Sequence, residues 1–64
     1  MEFKILRIRK GITQTQLWEK TRISTRKIVA IEKGDYSMVT INNMKILSEV
    51  LEVPIQELFN IFSA

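Results

Sequence analysis

The chain contains no cysteine and no histidine. The first absence excludes a disulfide framework, a thiol nucleophile and a cysteine metal site. The second removes the commonest general base and the commonest metal ligand. A catalytic centre would have to come from scattered carboxylates, and no two of them form a convincing pair, so neither an enzyme nor a bound metal or cofactor is expected. Uninterrupted apolar runs are only a few residues long, far short of a membrane span. The N-terminal MEFKILRIRK is charged throughout and is no signal peptide. The default expectation is a soluble, cytoplasmic protein. With one proline (Pro54) and two glycines (Gly11 and Gly34), no Gly/Ser linker is available, and each breaker is left to mark a boundary.

What remains is apolar and charged in good measure. Hydrophobic residues make up 45% of 64 positions, too many for a disordered chain of net charge +3. The length predicts one domain, residues 1–64, around a small core. The net charge hides an asymmetry. Through Lys33 there are nine Lys or Arg against Glu2, Glu19 and Glu32, a balance of +6. From Gly34 onward only Lys45 stands against Asp35, Glu49, Glu52 and Glu57, a balance of −3. Such a basic half is either a solvated surface or a face that meets phosphates.

Helical spacing recurs along the chain. Phe3 and Leu6 share a face over Glu2 to about Lys10, with Ile5 and Ile8 on a neighbouring row. Gly11 is placed to stop that helix in a positive-φ conformation. Thr13, with Gln16 three residues on, has the form of a capping box for a helix over about Gln14 to Thr21. Ser24 can cap a third helix from Thr25 to about Lys33, stopped by Gly34. Asp35 to Val39 lacks a helical period and reads as a loop. Thr40 is an N-cap for a fourth helix whose inward face is Ile41, Met44, Leu47 and Leu51. Val53, restricted by Pro54, ends it, and Pro54 opens the fifth. Five short helices with short joints predict a compact all-α domain.

The stretch QTQLWEKTRISTRKIVAI, Gln14 to Ile31, organises the rest. Two helical patterns meet there at a break too small to be a loop. Leu17 and Thr21 point inward from one, Ile28 and Ile31 from the other, and Ile23 fills the corner. Beyond the Ser24 cap, Thr25, Arg26 and Lys27 follow with no acid until Glu32. A helix that opens polar and basic, braced by the helix before it, suits insertion into a DNA groove.

At this point the chain resembles the Cro/cI or Xre type of helix-turn-helix domain, the lambda-repressor-like DNA-binding fold. The resemblance runs from Leu6–Arg7 to Glu57–Phe59. It is carried by ITQTQL (Ile12–Leu17), IS (Ile23–Ser24), IVAIEKG (Ile28–Gly34), LEV (Leu51–Val53) and IQELF (Ile55–Phe59). It implies that residues 14–33 form the DNA-reading unit, with the third helix as recognition helix. Three positions depart from the family pattern. Trp18 replaces a small residue, so its indole must tilt the helix pair, point sideways or fill a gap beside Ala30. Arg22 replaces a turn glycine and, in the family backbone, takes a positive φ at a cost of about 1 kcal/mol. Thr21 is polar where the family is apolar.

The resemblance also distributes roles. Arg7 and Glu32 match a structural ion pair between the first and third helices. Thr25, Arg26, Lys27 and Val29 match base-reading positions. Arg26 is the best candidate, since a guanidinium binds guanine O6 and N7 together, while Val29 offers apolar contact to a thymine methyl. Gln14, Ser24, Lys33, Tyr36 and Ser37 are expected at DNA phosphates. In the last helix Leu58–Ile61 and Ile55–Phe59–Phe62 form two apolar rows, wider than one buried stripe. Ile55, Phe59, Ile61 and Phe62 are therefore expected at a dimer interface in residues 54–62. The function implied is that of a sequence-specific transcriptional regulator. It would be a homodimeric repressor of phage or bacterial origin on a palindromic operator, open to a regulatory protein partner. The other reading is a protein-interaction module, antirepressor or antitoxin-like, supported by Trp18 and Arg22.

Overall fold

The computed structural model describes residues 2–63, so the expected 1–64 span includes Met1 and Ala64, which lie outside the described residues. Five helices follow one another among them: α1 (Glu2–Arg9), α2 (Gln14–Thr21), α3 (Thr25–Glu32), α4 (Ile41–Leu51) and α5 (Ile55–Ser63). The starts of α2, α3 and α4 are set by side-chain caps. The Thr13 hydroxyl accepts from the Gln16 N–H at 3.0 Å, while the Thr13 N–H donates to Gln16 Oε1 at 2.9 Å. Ser24 Oγ accepts from the Lys27 N–H. Thr40 and Asn43 form a second reciprocal box, with an amide doing what Gln16 does at α2. Each supplies partners to N–H groups that a helix start leaves unpaired.

The stops are set by left-handed residues. Gly11 (φ +71°) and Gly34 (φ +93°) adopt that conformation without a Cβ penalty. At α4 the stop differs from expectation. The helix ends at Leu51, not Val53, and Glu52 takes φ 55°. Beyond it the Val53 N–H donates to the Ser48 carbonyl, and Ser48 Oγ donates to the Val53 carbonyl at 2.6 Å. Pro54 thus finds the chain already out of the helix.

The core is drawn from every helix: Phe3, Leu6, Leu17, Ile23, Ile28, Ile31, Met44, Leu47, Leu51, Val53, Leu58 and Ile61. Two expectations about apolar faces are corrected. Ile41, placed on the inward face of α4, is 57% exposed, and the buried face of that helix begins only at Met44. The C-terminal helix is not a free double row. Its Leu58–Ile61 row is core, with Ile61 only 9% exposed, so Ile61 is a packing residue and leaves the interface set. The other row, Ile55, Phe59 and Phe62, forms a half-open edge: Phe59 is exposed, Ile55 and Phe62 partly so. Phe62 is anchored by tilted ring contacts with Tyr36 (4.7 Å) and Phe3 (5.9 Å), which tie the end of the chain to its start.

Candidate nucleic-acid interface

The site is built on how α2 and α3 are held. Thr21 solves the problem of a polar residue at an inward position. Its hydroxyl donates to the Leu17 carbonyl at 2.7 Å and accepts from the Ile23 N–H at 3.0 Å, so burial leaves nothing unpaired. Arg22 is the C-cap of α2 with φ 63°, the left-handed turn expected from its place. Its guanidinium lies 5.1 Å from the centroid of the Trp18 ring, within cation–π range. Of the three ways to place the indole, the chain uses the sideways one: Trp18 is exposed, at 37%. Stacking at an exposed site contributes about 0.5–1 kcal/mol, which offsets most of the backbone cost of a non-glycine residue there.

The opposite end of the pair is clasped by Glu32. Arg7 Nε donates to Glu32 Oε2, and both side chains are buried. Arg7 Nη1 donates to the Ile12 carbonyl at 2.8 Å. Gln14 Nε2 donates to Glu32 Oε1 at 2.8 Å. One carboxylate thereby joins α1, α2 and α3, and the guanidinium also fixes the α1–α2 link. The expected ion pair is present. Gln14, expected at a phosphate, spends one amide N–H inside the protein and keeps the other. A carboxylate at the end of α3 was the available signal for this bond, since Gln14 opens the helix that crosses it.

The exposed face of α3 follows from its period. Ile28, Ile31 and Glu32 are buried, so the opposite side carries Arg26, Ala30 and Lys33, three positions sharing one row, with Thr25 and Val29 beside it. Thr25, Arg26 and Lys33 are exposed, while Lys27, Val29 and Ala30 are half-buried. Ala30 is thus not a core residue. A row with long cations at its ends and small side chains between lets the helix backbone come close to a groove floor. Its electrostatics are of one sign. From Lys20 to Ile31 there are four cations and no acid, and Glu32 is buried against Arg7.

The loop after α3 departs from expectation. Ser37 donates to Asp35 Oδ1 through both its N–H (3.1 Å) and its hydroxyl (2.7 Å), so its proton is engaged and a carboxylate stands beside it. Those two bonds, the hydroxyl first, hold the Asp35 carboxyl below its usual range, so it is an anion at neutral pH. Ser37, expected at a phosphate, here closes the loop. Tyr36 is partly buried with its ring against Phe62, a packing role that sequence alone did not reveal. No group of acids suited to a metal ion occurs among the described residues, and none of their helices is long and apolar enough to cross a membrane.

With this geometry in place, comparison with known proteins is decisive at the family level. A helix-turn-helix family model matches residues 3–58. The chain belongs to the helix-turn-helix family. It is of the Cro/cI type, a family of DNA-binding transcription regulators that are not typically enzymes. The match spans α1 to the middle of α5 of this helix-turn-helix protein, so the Arg7–Glu32 clasp and the capped α3 both fall inside it. No curated protein and no solved structure matched the chain.

Proposed function

We propose that this helix-turn-helix protein is a sequence-specific repressor that binds a palindromic operator as a homodimer, of phage or bacterial origin. It would act by occupying a promoter and excluding polymerase. The observation that carries the reading is the outward row of α3, Arg26–Ala30–Lys33, on a capped helix free of exposed acids. Arg26 would read a guanine edge, Thr25, Lys27 and Val29 would add base contacts, and Gln14, Ser24 and Lys33 would hold phosphates. The half-open row Ile55–Phe59–Phe62 would meet its copy across a twofold axis, with Phe59 the most accessible member.

Selection of bound sequences from a random duplex pool tests this directly. A palindrome with two half-sites about one helical turn apart supports reading and symmetry together. An unrelated set of sequences with no common element removes the reading. The exposed Trp18–Arg22 pair favours a second reading, a protein-interaction module, since both residue types are enriched at interface hot spots.

A further inference from the structure

We infer that Arg22 is a phosphate-binding residue at the wall of the DNA groove, with its guanidinium held in place by the Trp18 ring. The inference rests on the DNA-binding reading and extends it to a side chain outside the recognition helix.

Three observations carry it. The first is place. Arg22 lies two residues before the Ser24 cap of α3, so its Cα is at most about 7.6 Å from that of Ser24. The major groove is about 12 Å wide. With the start of α3 in the groove, a long side chain from that position can reach the phosphate backbone at the groove's edge. The second is availability. The Trp18 ring lies 5.1 Å from the guanidinium carbon, and a guanidinium carries five N–H donors, more than one ring can engage. Among the described residues the only ion pair joins Arg7 to Glu32, and no acceptor takes a hydrogen bond from the Arg22 side chain. Glu19, one turn earlier, is unpaired with it. The third is the backbone. A residue serving only as a helix stop at φ 63° would be better as glycine. Strained positions of this kind gather where a side chain is used. Lys20, Arg26 and Lys27 nearby add potential of the same sign.

The contact is to phosphate and not to a base, so it would add affinity without sequence preference. The test uses the full chain, the duplex selected from the random pool and a scrambled duplex, at several salt concentrations. Arg22→Gly is expected to keep a melting temperature no lower than the parent's. It should weaken both duplexes severalfold and equally, and reduce the salt slope by about one. Arg22→Lys should keep the slope, because the charge is retained. Trp18 is the only tryptophan, so its fluorescence should change when duplex is added to the parent chain. Unchanged affinity and slope in Arg22→Gly, with Arg26→Ala still flattening base preference, would overturn the inference and leave the DNA-binding reading intact. If Arg22→Gly loses both stability and binding, and Arg22→Lys does too, Arg22 is structural and the inference also fails. A parent chain that binds neither duplex overturns both, and makes the Trp18–Arg22 pair a docking point for another protein.

Discussion

Glu32 accepts from two side chains on two other helices and is nearly shut off from water. Removing it strands a buried guanidinium, which costs of order 3–5 kcal/mol. Glu32→Ala should therefore lower the melting temperature sharply, whereas Glu49→Ala, at an exposed position, should barely move it. Equal small shifts in thermal denaturation would sink the clasp. Gln14→Ala should show in two assays at once: a modest loss of stability from the bond to Glu32, and a uniform loss of affinity with the salt slope unchanged, since a neutral amide displaces no counterion. Arg26→Ala should behave differently, leaving stability alone and costing about 1–3 kcal/mol of discrimination at one base pair per half-site. Asp35 sets an acid limit on its loop. Its folded pKa is lowered by Ser37, so this contribution is complete above the ordinary carboxylate range and is lost only as pH falls through the lowered value. Ser37→Ala should shift the Asp35 titration, followed by NMR, back toward the usual value.

At the scale of elements, what the sequence disclosed depended on whether a signal was local. Thr13, Ser24 and Thr40 cap the helices they were expected to cap, because a hydroxyl and the N–H groups it serves lie within four residues. Arg22 turns left-handed where a family glycine was missed. Glu52 does the same with no such cue, and the stop of α4 was misplaced by two residues for that reason. Facing is harder to read. Periodicity says which residues share a stripe but not what the stripe meets. Ile41 has the spacing of a core residue but is exposed, while Ile61 found cover in its own fold and Phe62 part of it. For the same reason Gln14 reads as a surface residue until Glu32 is seen beside it. The interface test moves accordingly. Phe59→Glu should give a folded monomer by sedimentation equilibrium, and the parent is expected to be a dimer at micromolar concentration. Phe62→Glu should instead lower the melting temperature, because its ring packs on Tyr36 and Phe3. A dimer that survives Phe59→Glu places the interface off α5.

For the molecule as a whole, the Arg7–Glu32 clasp has a bearing on time as well as on energy. The two residues are 25 positions apart, whereas α2 with α3, and α4 with α5, are neighbours in the chain. Helices that are not chain neighbours also meet, α1 with α3 and α2 with α4, and a pair 25 positions apart must close a long loop before it is rewarded, so we expect the clasp to form late. The clasp then acts as a latch on the way out. Weakening it should leave the refolding limb of a urea chevron nearly in place and raise the unfolding limb. A loss of about 3 kcal/mol taken wholly on that limb is roughly a hundredfold shorter lifetime of the folded state. The lifetime of the folded helix pair would then rest partly on the slow release of one buried arginine.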